Sequence, residues 1–164
     1  NKNIFFIPDE NLGRFVAEQV PEKNVILNKG FCPIHKTISA TTLQKAKNEH
    51  PCALVLTHPE CAKEILDLSD FIGSTAEIIE YAKESECNEF IICTEIGVLY
   101  KLQKDSPNKK FFFVSPAPIC ADMKKCTLER IAYVLETGEN AVNIDNEKIK
   151  KASKALDKML EIAK

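Results

Sequence analysis

The sequence is short of the features that mark non-globular chains. It holds only 5 glycines and 8 prolines in 164 residues, which excludes collagen and Pro/Gly-rich disorder. It lacks a long apolar run. The longest are of the size of Phe111-Phe112-Phe113-Val114, whereas a membrane span takes roughly 20 apolar residues. No low-complexity linker divides the chain, and its start has no basic, apolar and small-residue order of a secretory signal. Neither sign of charge dominates: 22 Lys plus Arg face 24 Asp plus Glu, for a net charge of −2, and the two signs are mixed along the chain. A nucleic-acid surface, which needs concentrated basic charge, gains no support.

What is present is 45% hydrophobic residues in clusters that recur along nearly the whole 18.4 kDa chain. Short β-branched and aromatic runs alternate with amphipathic segments. This is the pattern of an α/β fold whose parallel sheets are flanked by helices. Strands are predicted over 4–7, 25–28, 53–57, 90–93 and 110–114. Helices are predicted over 12–18, 42–48, 60–68, 75–83, 96–103, 128–136 and 146–163. In the last of these, Ile149, Ala152, Leu156, Met159, Leu160 and Ala163 share one face, opposite a lysine-rich face that should be solvated. Thr127 is the expected N-cap and Gly138 the expected stop of the helix before it. Seven cysteines without a secretion signal point to a reducing, cytoplasmic compartment. Cys32, Cys61, Cys93 and Cys120 recur at intervals of 29, 32 and 27 residues, about one βα unit, which would put them at equivalent strand ends.

In open α/β sheets, chemistry sits where strands end and helices begin. The turn after the second strand is Gly30-Phe31-Cys32-Pro33-Ile34-His35. Its thiol and imidazole are metal donors, but a small buried cysteine beside a solvated histidine accounts for the pair equally well. After the third strand comes His58-Pro59-Glu60-Cys61. Pro59 suits a first helical position, which would leave an acid/base pair at the helix mouth; capping by His58 and a dipole contact by Glu60 are the structural alternative. Cys61 reads as core, together with Ile65 and Leu68. Ser74 and Glu77 form a capping box, and the same helix start, with Ser74 and Thr75, is suited to holding a carboxylate or phosphate. Cys120 lies in the turn after the last strand, and Cys126 lies before the following helix. Either is a candidate metal ligand. Cys52, Cys87 and Cys93 read as structural, and His50 as solvated.

Together the turns resemble quinolinate synthase, the iron–sulfur enzyme family of NAD biosynthesis. The matching stretches are Phe6-Ile7-Pro8-Asp9-Glu10-Asn11-Leu12-Gly13, Gly30-Phe31-Cys32-Pro33-Ile34-His35, His58-Pro59-Glu60-Cys61, Ile72-Gly73-Ser74-Thr75, Thr94-Glu95-Ile96-Gly97 and Cys120-Ala121-Asp122-Met123-Lys124, in the family's order. The resemblance implies condensation of iminoaspartate with dihydroxyacetone phosphate, then dehydration and ring closure to quinolinate. It implies a [4Fe–4S] cluster held by three cysteines, one from each of three similar α/β/α units, with one iron open to substrate as a Lewis acid. Cys32 and Cys120 match two of those ligands, which disfavours Cys61 and Cys126. His58 and Glu60 match the substrate-binding, proton-handling pair, and Thr75 with Ser74 matches the site for anionic groups.

The resemblance corresponds to about the second half of the family's chain. The third cluster cysteine, an early histidine and tyrosine, a Tyr-x-Asn motif and a further serine have no counterpart here. Residues 1–29 would then end a second α/β unit, 30–114 form a third, and 115–164 carry a ligand turn and helices. The chain opens on Asn1 and is expected to be a fragment, inactive without the missing N-terminal half. Two other readings compete with the enzyme. One is a zinc or redox module with Cys32, His35, Cys120 and Cys126 as ligands; the other is one half of a split enzyme, whose uncovered apolar faces would pair with a separate chain.

Overall fold

The computed structural model describes residues 3–163. They fall into two compact units, Asn1–Cys120 and Ala121–Lys164.

The first unit begins with a βαβ element. Strand β1 (Asn3–Phe6) leads through helix α1 (Glu10–Gln19) to β2 (Asn24–Leu27), and the strands pair in parallel with Ile4 beside Val25 and Phe6 beside Leu27. Asp9 is the N-cap of α1 and accepts from the Leu12 amide. The chain then forms α2 (Pro33–Lys36), α3 (Ala40–Glu49), β3 (Leu54–Thr57), α4 (Lys63–Leu66), β4 (Phe71–Ile72), α5 (Thr75–Glu84), β5 (Glu89–Cys93), α6 (Leu99–Asp105) and β6 (Lys110–Phe113). The last four strands make one sheet in the order β4-β3-β5-β6, and all its neighbours are parallel.

The strands are buried on both faces because alternate residues serve different layers. Val55, Ile91 and Cys93 pack with Leu43 and Ala46 of α3 and Ile65 of α4. Leu56, Phe90 and Ile92 pack with Ile78 and Ala82 of α5 and Leu102 of α6. This is a three-layer α/β/α body.

All five predicted strands form, but the chain adds two elements that periodicity did not reveal. β4 has only two residues, too few for an alternating pattern, and α2 is a single turn started by Pro33. The helix expected over 60–68 shrinks to Lys63–Leu66. Pro59 is therefore not a first helical residue, and Glu60 is not in a helix. A turn from the His58 carbonyl to the Cys61 amide takes up that stretch, and Asp70 must already donate to the Val55 carbonyl as the chain returns to the sheet. Little length remains for a helix. Cys61 is nonetheless fully buried in the core. His50 is not simply solvated: its ring stacks on Phe112 at 3.5 Å between centroids.

The second unit holds α7 (Leu128–Thr137) and α8 (Asn146–Ile162). Thr127 caps α7 by accepting from the Arg130 amide, and Gly138 ends it in the left-handed conformation with φ 68°. The apolar faces stay open, with no buried residue in either helix. Leu160 of α8 is 58% exposed. No helix among the described residues is long and apolar enough to cross a membrane.

Candidate functional site

The parallel sheet brings its chemistry to one edge, because every strand ends on the same side. Thr57 of β3 stands beside Ile72 of β4 and Cys93 of β5, so the segments beginning at His58, Gly73 and Thr94 leave the sheet side by side. Cys120 joins them from β6, since its amide donates to Glu95 Oε1 at 3.1 Å. Cys32 arrives from the smaller sheet as the N-cap residue of α2, its amide donating to Asp9 Oδ2 at 2.8 Å.

His35 ties the two sheets together. One turn of helix separates it from Cys32 and carries it inward, leaving it 7% exposed, not solvated as one reading of the C-x-x-H pair had it. Its Nε2 lies 3.0 Å from Thr94 Oγ1, and its Nδ1 lies 3.0 Å from Glu60 Oε2. That second contact has the distance of an ion pair without the alignment of a hydrogen bond, and Nδ1 is the one buried side-chain nitrogen or oxygen among the described residues with no hydrogen bond. The His58 ring stacks on His35 with centroids 4.6 Å apart and planes 12° apart. Glu60 is thus bracketed by two imidazoles, the second at 4.0 Å, while Asn11 of α1 donates to the Glu60 carbonyl at 3.1 Å.

The protonation of this cluster follows from its surroundings. Burial lowers the pKa of His35, with the Glu60 charge opposing. Burial also lowers that of His58, aided by the neighbouring His35 and again opposed by Glu60. Both rings are pushed toward the neutral state. In His58 the Glu60 amide donates to Nδ1 at 3.3 Å, so the neutral ring carries its proton on Nε2. The arrangement offers a hydrogen-bond donor on His58 and a carboxylate acceptor on Glu60, next to a half-buried thiol.

Cys32, His35 and Glu60 keep their donor atoms within 4.8 Å of one another, the one such metal-compatible group of three among the described residues. Cys120 of the same unit is not in that group. A recess of about 310 Å³ opens beside it, lined in part by Pro8, Gly30, Phe31, Cys32 and Glu60. Ser74 and Thr75 lie exposed at the start of α5. Ser74 completes its capping box, accepting from the Glu77 amide at 3.3 Å while Glu77 Oε2 accepts from the Ser74 amide at 2.7 Å. Cys93 is fully buried, its thiol pKa pushed up to about 11 by burial, and Cys61 is shifted upward for the same reason. Such thiols are inert core groups.

Reasoning from the sequence missed the place of His35 against Glu60 and the roles of Asp9, Thr94 and Glu95. The usable signal was Pro33: a proline just after Cys32 starts a helical turn, and a turn carries the third residue back toward the protein.

A family model described as "NadA: Quinolinate synthetase A protein" matches residues 1–161. Among curated relatives, quinolinate synthase of Caldicellulosiruptor saccharolyticus is 49% identical over 163 residues, covering 99% of this chain and 54% of the relative. The Fusobacterium nucleatum quinolinate synthase is 48% identical over 162 residues, with the same shares covered. That of Clostridioides difficile is 45% identical over 163 residues. The chain spans about half the length of the curated relatives it matches. With a match of this extent, the chain belongs to the quinolinate synthase family.

Proposed function

We propose that this chain supplies the second half of a quinolinate synthase active site, serving NAD biosynthesis in the cytoplasm. The substrates are iminoaspartate and dihydroxyacetone phosphate, which condense, lose water and close to quinolinate. Residues 1–29 end one α/β unit, 30–114 form the next, and 115–164 follow as a ligand turn with helices. A single observation carries the reading: the His58–Glu60 pair, braced by His35, lies beside Cys32 on the edge where the sheet's other turns converge.

Cys32 and Cys120 are the ligands this chain contributes to a [4Fe–4S] cluster, and the third cysteine comes from the missing N-terminal half. The donor set fits. Both thiols are unpaired and partly exposed, each stands at the carboxyl end of a parallel strand pair, and thiolate sulfur is the donor that iron–sulfur clusters take. When bound, the cluster supplies a Lewis-acidic iron.

The protein groups handle protons and orientation. Neutral His58 presents its Nε2 proton to a substrate oxygen. Glu60 accepts the proton lost from carbon or nitrogen during condensation and dehydration, and the His35 ring stands 3.0 Å from its carboxylate. Such positioned groups contribute about 10²–10⁴-fold each. Ser74 and Thr75, with the amides of the α5 N-terminus, bind the anionic groups of the substrates. Ser74 can cap the helix and still stand beside the anion.

The test is anaerobic reconstitution of the complete protein followed by a quinolinate assay. Wild type should form quinolinate, and Cys32→Ser and Cys120→Ser should abolish it together with cluster binding. Activity preserved in either variant rejects the ligand assignment. A second reading, a mononuclear metal on Cys32, His35 and Glu60, is favoured by the closeness of their donor atoms. It predicts one zinc or iron per chain and no acid-labile sulfide, where the cluster predicts iron and sulfide in equal amounts.

A further inference from the structure

The two candidate cluster cysteines sit in the same hydrogen-bonded device, built twice. In the first copy, Asp9 follows β1. One of its oxygens, Oδ1, accepts from the Leu12 amide at 2.8 Å and caps the next helix, while Oδ2 accepts from the Cys32 amide at 2.8 Å. The following residue, Glu10, donates its amide to the carbonyl of Gly30, two residues before Cys32, at 2.8 Å. In the second copy, β5 ends before Glu95. Its Oε2 accepts from the Gly97 amide at 2.6 Å, and its Oε1 accepts from the Cys120 amide at 3.1 Å. The following residue, Ile96, donates to the carbonyl of Pro118, two residues before Cys120, at 2.9 Å. In both copies the acid follows one strand and the cysteine follows that strand's parallel neighbour in the sheet.

We propose that Asp9 and Glu95 are positioning residues for the cluster: each clamps the backbone of one ligand cysteine through a carboxylate. This deepens the function proposed above and rests on its assignment of Cys32 and Cys120.

The physical case has three parts. First, the acids are costly where they stand: Asp9 is 3% exposed and Glu95 8% exposed. A side-chain cap on a helix start needs only a serine or threonine, so the helix alone does not account for a buried charge. Second, the second oxygen is spent on the cysteine in both copies. A charge-assisted bond is roughly twice as strong as a neutral one, and an amide held from one side and a carbonyl held two residues earlier leave the Cα of the cysteine little freedom. Third, the cysteines lie in loops with little regular structure: Cys120 is in no helix or strand and Cys32 only precedes a single helical turn. Partners outside the ligand shell are what orient loop ligands. Gly30 belongs to the same device, since a Cβ there would stand 2.1 Å from the Pro8 carbonyl oxygen.

The test uses the complete protein and separates clamp from cap. Asp9→Ser and Glu95→Ser keep a hydroxyl able to cap the local turn but too short to reach the cysteine; Asp9→Asn and Glu95→Gln are near-isosteric second variants for use where serine impairs folding. Asp145→Ala, which removes the cap of α8, 25 residues beyond Cys120 in the chain, is the control for general destabilisation. Two quantities are read: the rate of iron release to a chelator, and the hyperfine-shifted β-methylene resonances of the ligand cysteines in the holoprotein. The expected result is at least tenfold faster iron release in each clamp variant but not in the control. The spectra should be crossed: the Asp9 variants shift the Cys32 resonances, and the Glu95 variants shift those of Cys120. Wild-type iron retention in the clamp variants, or equal shifts of both cysteines, overturns the proposal. A cluster retained in Cys32→Ser or Cys120→Ser overturns the ligand assignment and the clamp with it; a cluster lost in those two variants and retained in the clamp variants overturns the clamp alone.

Discussion

Glu60 shows how a single side chain acquires a chemical role from its neighbours. It is partly exposed, yet His35 and His58 stand on it from two directions, and its own amide sets the tautomer of His58. Glu60→Gln keeps the shape and removes the base, so turnover of the complete enzyme should fall by about 10²–10⁴-fold with the cluster content unchanged. Loss of cluster in that variant would move Glu60 from proton transfer to assembly. The two histidines also make a pH prediction. Burial lowers both folded pKa values below the ordinary histidine value of about 6.5. Between the folded and unfolded values the unfolded chain binds more protons. Their contribution is therefore complete above about pH 6.5 and is lost as pH falls through the folded values. Thermal unfolding should show a midpoint that declines as pH falls from 7.5 to 5, with a shallower decline in His58→Gln. An identical slope in that variant counts against the assignment.

At the scale of elements, the decisive features are short. α2 and α4 have four residues each, and β4 has two, yet α2 delivers His35 to the site and β4 delivers Ser74 and Thr75. None would be stable alone, because a helix nucleus costs more than one turn returns; the sheet beneath them supplies the stability. The turn that leads into α2 depends on Gly30. Adding a Cβ there drives it to 2.1 Å from a backbone oxygen, a contact that only main-chain movement relieves. Gly30→Ala is expected to lower the unfolding midpoint and to weaken cluster retention, read as iron content after gel filtration. Gly138→Ala, where nothing lies within 4 Å of the new Cβ, carries only the strain of its positive φ and should leave iron content unchanged. Equal iron loss in both would remove the special role of the Gly30 turn.

The whole molecule leaves apolar surface uncovered. In the first unit the two-stranded sheet of β1 and β2 carries α1 on one side, and on its other side Phe5 is 67% exposed and Ile7 63%. In the second unit, Leu128 and Leu135 of α7 and Leu156 and Leu160 of α8 are exposed as well. Exposed large apolar side chains in this number point to surfaces made to be covered. The chain by itself should therefore associate as its concentration rises, and it should form no quinolinate under conditions where the complete protein does. Sedimentation velocity over a hundredfold concentration range checks the first expectation, which a uniform monomer would defeat. An anaerobic quinolinate assay of the chain alone checks the second, and measurable product would defeat it.

Much of this was legible from the chain. Alternation of apolar runs with amphipathic segments reveals a parallel α/β architecture because buried strands and one-faced helices need those patterns. The box of Ser74 with Glu77 and the stop at Gly138 are local and were readable for that reason. The turns carrying Cys32, His58, Glu60 and Cys120 could be found because strand ends are where such sheets place chemistry. Contacts between distant turns were not legible. His35 meets Glu60 and Thr94, and Asp9 and Glu95 hold the cysteines, only because parallel pairing brings separate strand ends into line. The helix expected after Pro59 failed for a related reason, since the return to β4 takes the residues that local preference had assigned to it. Local preference, hydrophobic period and turn chemistry act within a few residues and lie in the sequence itself. Which acid faces which amide 23 or 25 residues away is decided by sheet register, and register exists only once the core has packed.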